Sequence, residues 1–242
     1  MTLILLMMDY DGTLVPIRER PELARPDPGV LEVLADLPAK RNLACAIVSG
    51  RSLEDLKDLL PVNGFYLAGG HGAELEHPDG SRHRGVEPGK LEPVINRLAE
   101  LARDSVGTHP GFIIENKKTS LALHYRLAAP ETARLVLREF KTKAGFVIQK
   151  HGLEIISGKK VAEVRHHTVN KGKAVRYLMD RFPEYYPIYL GDDITDEDAF
   201  MVVKERGAGI LVAETARESA AQVRLPGQRE VLKFIKILSA GS

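Results

Sequence analysis

The run Leu3-Ile4-Leu5-Leu6-Met7-Met8, followed at once by Asp9-Tyr10-Asp11-Gly12-Thr13, constrains this chain more than any other stretch. An unbroken apolar run ended by acids and a glycine reads as a strand buried on both faces of a parallel sheet. The acids then sit at its carboxyl end, where neighbouring strands of an open α/β sheet diverge and leave a crevice for ligands. Two carboxylates two residues apart at the rim of a dry core repel one another, and both stay ionised only with a cation between them. A divalent metal is the first inference. Hard oxygen donors with no Cys or His nearby favour Mg2+ over zinc. Two other readings compete at this stretch alone. Asp-Gly is a common turn pair, so the acids could be a solvated turn after a core strand. Asp-x-Asp-Gly also opens calcium loops, but the position that must carry a bidentate Glu, the twelfth from Asp9, is Arg20.

Strand ends of the same kind recur along the chain. Pro16 to Pro26 reads as a surface loop, and Asp27 with Pro28 as an N-cap and first-turn proline before a helix with Val30, Val33, Leu34 and Leu37 on one face. Leu43 to Val48 is a second buried strand that ends in Ser49-Gly50-Arg51-Ser52 and a helix with Leu53, Leu56, Leu59 and Leu60 inward. Backbone NH groups and the positive helix end at such a junction suit an anion, although Ser52 can equally be an N-cap and Ser49 a turn residue. Phe65 to Ala68 is a third strand, ending in Gly69-Gly70-His71-Gly72. From about Gly85 the pattern changes to a helix over Lys90 to Arg103, strands over Gly111 to Glu115 and Ser120 to Tyr125, a helix over Pro130 to Lys143, and two or three strands over Phe146 to Gln149, Leu153 to Ser157 and Val161 to Val164. Short connections between these strands predict an antiparallel sheet with two helices on one face, an inserted α+β cap domain over 85–167 between core segments 1–84 and 168–242. Its charged residues Glu115, Lys117, His124, Arg126 and Glu163 lie on or beside strands, where alternation sends some of them to one face.

The α/β pattern resumes at Asn170-Lys171-Gly172-Lys173, a helix start. Pro187 to Leu190 is a buried strand ending in Gly191-Asp192-Asp193-Ile194-Thr195-Asp196-Glu197-Asp198, which holds five acids within seven residues. A cap using Thr195 and Asp198 accounts for one of these acids and leaves Asp192, Asp193 and Asp196 among those unexplained. Ile210 to Val212 is a further strand, Thr215 with Glu218 reads as a capping box, and Val231, Leu232, Ile235 and Leu238 mark a C-terminal helix.

Composition narrows the function classes. The chain has 242 residues, 44% of them hydrophobic, which is enough for one large domain or two unequal ones. Its 34 basic and 33 acidic side chains leave no basic excess for nucleic acid or a membrane surface. The single cysteine, Cys45, lies in an apolar run and reads as a small core residue. The N-terminal run is too short to span a membrane and lacks the basic start of a signal peptide, so a soluble cytoplasmic protein is expected, taken as a monomer.

Parallel strands put Asp9, Asp11, Ser49 and the Asp192 to Asp196 group on one sheet edge, with Lys171 opening a helix beside them. Clustered carboxylates, one ammonium, a hydroxyl and free backbone NH groups suit phosphoryl transfer, where catalysis is mostly positioning and charge neutralisation. A receiver domain also places an aspartate at a strand end near Mg2+, but it has no inserted cap and needs about half this length.

These residues resemble the motifs of the haloacid dehalogenase superfamily of phosphatases: Asp9-x-Asp11-Gly12-Thr13, Ser49, Lys171, and Gly191-Asp192 with Asp196. Asp9 through Leu14 with Pro16-Ile17, Val48-Ser49-Gly50-Arg51, His71-Gly72, Glu115-Asn116-Lys117, His124-Tyr125-Arg126, Glu163-Val164-Arg165 and Asp198-Ala199-Phe200 extend that resemblance over nearly the whole chain, to the trehalose-6-phosphate phosphatase family. One departure is His166, where the family usually carries proline. The resemblance implies a Rossmann-like core with an inserted cap and a role in trehalose biosynthesis. It implies an Asp9 nucleophile forming an aspartyl-phosphate, Asp11 as general acid and base, Ser49 and Lys171 on the phosphoryl oxygens, and Mg2+ held by Asp9, the Asp11 carbonyl and Asp192 with Asp196 in support. It also implies sugar contacts from Glu115, Lys117 and Glu163, with His124 and Arg126 beside them, and from Arg51 and His71 of the core. Phosphatases for sucrose phosphate or mannosyl-phosphoglycerate, and phosphomannomutase-like phosphotransferases, are the neighbouring alternatives.

Overall fold

The computed structural model describes residues 2–240. In chain order the elements are β1 (Ile4–Met8), α1 (Pro28–Asp36), β2 (Leu43–Val48), α2 (Leu53–Leu59), β3 (Phe65–Gly69), β4 (Glu74–Glu76), β5 (Arg82–Arg84), α3 (Pro88–Val106), β6 (Ile113–Asn116), β7 (Leu121–His124), α4 (Pro130–Lys150), β8 (Leu153–Gly158), β9 (Val161–His166), α5 (Lys171–Arg181), β10 (Tyr186–Gly191), α6 (Glu197–Val203), β11 (Ala208–Val212), β12 (Val223–Leu225) and α7 (Gln228–Ala240). They form two compact units. One is Met1–Arg84 with Asn170–Ser242, and the other is Gly85–Val169.

The first unit holds a sheet of order β12-β11-β10-β1-β2-β3-β4-β5, parallel except where β4 and β5 join as an antiparallel hairpin. Because side chains alternate along a strand, each apolar run supplies two cores at once. Leu6 and Met8 of β1, Cys45 and Ile47 of β2, and Ile188 and Leu190 of β10 pack with α1, α2 and α7 on one face. Leu5, Met7, Ala44, Ala46, Val48 and Tyr189 pack with α5 and α6 on the other. β1 lies between β2 and β10, so the chain winds outward from it in both directions. That reversal point is where α/β sheets open a ligand crevice, and the ends of β1, β2, β3 and β10 all face it.

The second unit is a four-stranded antiparallel sheet, β6-β7-β9-β8, whose apolar face is covered by α3 and α4. The strand expected over Phe146 to Gln149 is the last part of α4. Val136, Phe140 and Ala144 are fully buried, and Val147 and Ile148 continue the same packed face, so the helical spacing of the core overrides the β propensity of Phe-Val-Ile. Phe146, on the outer side of that turn, is 74% exposed.

The expected capping box at Thr215 and Glu218 caps nothing, because residues 213–222 run without helix into β12. That stretch is held by other groups: the Ala220 NH donates to Glu197, and the Arg217 guanidinium donates to Glu197 and to the Asp193 carbonyl. Asp27 does precede α1, but its side chain makes no cap hydrogen bond. Among the described residues no helix is long and apolar enough to cross a membrane.

Candidate active site

Asp9 follows the last residue of β1, and its NH is held by the Leu190 carbonyl of β10 at 2.8 Å. The backbone must turn sharply there, and Gly12 takes φ +89°, a region that costs other residues about 1–2 kcal/mol. A Cβ on Gly12 would also overlap the Asp192 carboxylate. Glycine is therefore what lets the β1 turn lie directly against the end of β10.

Lys171, the first residue of α5, is positioned by an N-cap in which the Asn170 side chain accepts from the Lys173 NH. Its buried ammonium donates to Asp9 Oδ1 and to Asp196 Oδ1, each at 2.7 Å. Asp196 is fully buried and every bond it accepts is internal. Oδ1 also takes the Tyr189 hydroxyl at 2.6 Å, and Oδ2 takes the Asp192 and Asp193 NH groups at 3.0 and 2.9 Å. The cap expected from Thr195 and Asp198 is built instead by Asp193 and Asp196, which satisfy each other's backbone NH groups.

Carboxylate oxygens of Asp9, Asp192 and Asp196 lie within 4.8 Å of one another, all buried. Three carboxylates against the one Lys171 ammonium leave two negative charges uncompensated within that group. Burial, and then the Asp196 and Asp192 charges, push Asp9 well above the usual carboxyl range in spite of Lys171. Asp196 is held below that range: burial alone would raise it, but Lys171, Tyr189 and the backbone NH groups outweigh burial. The same two aspartates raise Lys171 against the opposing effect of its own burial. A hard divalent cation fits this donor set in charge and in ligand chemistry. With the Asp196 oxygens committed to Lys171, Tyr189 and backbone, Asp9 and Asp192 are the carboxylates placed to hold it.

The Asp196 shift has a consequence for folding. A carboxyl lowered in the folded state gives stability that is present above its unfolded value of about 3.9 and lost as pH falls through the folded value. Urea midpoints should therefore fall between pH 5 and pH 2.5 in the parent chain. Asp196→Asn should start lower and lose less over the same range; equal pH slopes in the two proteins would contradict the assignment.

The other core residues singled out in the sequence occupy the same edge. Ser49 is buried at the end of β2, where its carbonyl accepts from the His71 NH at 2.8 Å and its hydroxyl accepts from the Arg51 NH at 3.2 Å. His71 packs over Gly50, where a Cβ would come within 2.6 Å of the ring Nε2. Arg51 grips both oxygens of Asp11 at 2.7 Å, donates to the Pro21 carbonyl at 2.8 Å and lies 5.1 Å from the Tyr10 ring centroid. Its fork is thus engaged with the acid expected to do proton chemistry.

In the second unit Glu115, Ala122 and Glu163 are in register across β6, β7 and β9, which brings both acids to one face. Lys117 lies 3.4 Å from Glu163 and 4.0 Å from Glu115, Ser120 donates to Glu163 at 2.8 Å, and His124 meets Glu115 at 2.9 Å. Burial alone would raise Glu115, but the His124 bond and Lys117 hold it below the ordinary range. Arg126 does not share these contacts: its guanidinium donates to the Lys159 carbonyl at 2.6 Å. Sequence reasoning passed over Tyr189, Ser120 and the Asp11–Arg51 pairing. Tyr189 lay inside an apolar run and Ser120 at a strand start, with no local signal in either case.

Aspartates ending two adjacent parallel strands, a lysine opening the helix that leads into the second of them, and a separate α+β unit inserted after the β4–β5 hairpin of the core define a protein of the haloacid dehalogenase type. A model of the trehalose-phosphatase family matches residues 7–229. The chain belongs to that family. It is 37% identical over 235 residues to trehalose-phosphate phosphatases of Mycobacterium tuberculosis and Mycobacterium bovis, covering 93% of this chain and 59% of theirs. It therefore spans about three fifths of the length of those curated relatives. Among solved structures, a trehalose-6-phosphate phosphatase related protein aligns with TM-score 0.83 at 29% identity, covering 98% of this chain and 97% of that one. The C-terminal domain of a Candida albicans trehalose-6-phosphate phosphatase aligns with TM-score 0.88 at 24% identity over 99% and 93% of the two chains.

Proposed function

We propose that this chain is a Mg2+-dependent phosphatase that hydrolyses trehalose 6-phosphate to trehalose and inorganic phosphate. The single observation that carries the reading is Lys171 bridging Asp9 and Asp196 beside Asp192 at the sheet edge. The family match and the names of the relatives support the substrate. A buried Cys45 and near-neutral charge support a cytoplasmic setting.

An Asp9 carboxylate oxygen attacks phosphorus; the bond from phosphorus to the sugar oxygen breaks, and an aspartyl-phosphate forms. Asp11 gives its proton to the departing sugar oxygen and takes one back from the water that attacks phosphorus next, an exchange worth ~10²–10⁴-fold. That second attack breaks the bond between phosphorus and Asp9 oxygen, releases phosphate and restores the carboxylate. Asp9, the Asp11 carbonyl and Asp192 would hold Mg2+, which would supply charge neutralisation between the carboxylates and the phosphate. Lys171 and Ser49 receive the phosphoryl oxygens, and Arg51 aligns Asp11. His71 is assigned to the substrate at the end of the third strand. Sugar recognition is assigned to Glu115, Lys117 and Glu163, with His124 orienting Glu115 and Arg126 at the margin.

Phosphate release from a panel of trehalose 6-phosphate, sucrose 6-phosphate, mannosyl-phosphoglycerate and glucose 6-phosphate, with Mg2+ and with EDTA, tests the reading. The trehalose ester should be turned over fastest, and only with metal. A faster second sugar phosphate would move the substrate assignment, and undiminished activity in EDTA would remove the metal. Lys117→Ala and Glu163→Ala should raise KM for the disaccharide phosphate about tenfold or more while leaving a small aryl phosphate nearly unchanged. Equal losses on both substrates would sink the sugar-binding assignment.

A further inference from the structure

We propose that Gln228 is a positioning residue for the cation site. Its side-chain amide holds the Gly12 carbonyl and through it the turn that carries Asp9 and Asp11 against Asp192. Gln228 opens α7, 216 positions beyond Gly12, and its Nε2 donates to the Gly12 carbonyl. The turn's own backbone bonds run from the Gly12 NH to the Val15 carbonyl and from the Leu14 and Val15 NH groups to the Tyr10 carbonyl. They fix the donor side of Gly12, and Gln228 fixes the acceptor side.

The position matters because Gly12 has no slack toward β10. Its Cα faces the Asp192 carboxylate so closely that a Cβ would overlap it. A shift of this peptide by a fraction of an ångström therefore changes the spacing between the Asp9 turn and Asp192. The anchor itself is rigid. Val231 and Ile235, on the turns of α7 that follow Gln228, are fully buried, and the Gly227 carbonyl closes the first turn by accepting from the Glu230 and Val231 NH groups. Groups bonded directly to a metal's ligands typically change affinity 10–100-fold when lost, because they hold the ligands at the ion's preferred distance; Gln228 acts one peptide further out, on the residue that follows Asp11, so the lower end of that range applies.

This inference rests on the cation site of the proposed function, and the test separates the two. Mg2+ binding is measured by titration calorimetry, and melting in EDTA, for the parent chain, Gln228→Met and Gln222→Met. The last is a control that removes an amide of the same size bonded to the Gly209 NH at 2.7 Å on β11. Gln228→Met should raise the Mg2+ Kd by about tenfold. Gln222→Met should keep the parent Kd while melting at a comparably lowered temperature. Gln228→Asn, which withdraws the amide by one methylene, carries the same expectation if the methionine variant does not fold. A Gln228 variant with the parent's Kd, or a control that loses affinity equally, overturns the inference and leaves the cation site standing. A parent chain that takes up no Mg2+ overturns the cation site and this inference with it.

Discussion

Asp9→Asn should abolish turnover and at the same time stabilise the metal-free protein. Loss of a covalent nucleophile costs on the order of 10⁵–10⁶ in kcat, since the remaining groups can position phosphate and water but have nothing to form the intermediate with. Stability moves the other way because of where Asp9 sits. A carboxyl raised above its unfolded value binds its proton more tightly in the folded state, so its contribution is present below the unfolded value and is lost as pH rises through the folded one. At pH 7 in EDTA a carboxyl at this position therefore costs the fold stability that a neutral isostere restores, while the amide oxygen still accepts from Lys171. The melting temperature of Asp9→Asn in EDTA should exceed the parent's at pH 7, with the gap closing as pH falls toward 4. An active Asp9→Asn enzyme would displace Asp9 as nucleophile. An inactive one that melts below the parent would contradict the charge imbalance read at this site.

How much of this could be read from the chain follows from where each signal lives. The strands β1, β2, β3 and β10 declare themselves because they are buried on both faces and so appear as unbroken apolar runs, and the acids and serine that follow them land on one edge because the strands are parallel. Charged, half-exposed hairpin strands such as Glu74–Glu76 and Arg82–Arg84 carry no such run, and neither does the short edge strand Val223–Leu225. Phe146 to Gln149 misleads because packing on the four-stranded sheet, a long-range property, decides its conformation. The same limit applies within the site. Asp9, Ser49, Lys171 and Asp192 are visible as polar residues at strand or helix ends, whereas Tyr189 hides in a core strand and earns its place only through its bond to Asp196. The pairing of Arg51 with Asp11 joins residues forty apart, and no pattern of spacing announces it.

Lys171→Met should destabilise the core unit about as much as truncating one of its fully buried large side chains. The ammonium is buried with Asp9 and Asp196 at 2.7 Å, and methionine keeps much of the side-chain volume while removing the charge. Breaking a buried ion pair from one side typically costs 3–5 kcal/mol, because the acids left behind remain desolvated and now repel without compensation. In a chain of this length that corresponds to a fall in Tm of roughly 6–20 °C. Two further observations would distinguish this cause from a packing defect. Without the ammonium, both aspartates favour their protonated forms in the fold, so the deficit should shrink as pH falls toward 4 and deepen toward pH 8. Saturating Mg2+ should restore more stability to Lys171→Met than it adds to the parent, since the cation then faces three acids with no ammonium among them. A deficit independent of both pH and Mg2+ would mean that Lys171 supports the fold by filling space, and the charge balance proposed for the site would have to be abandoned.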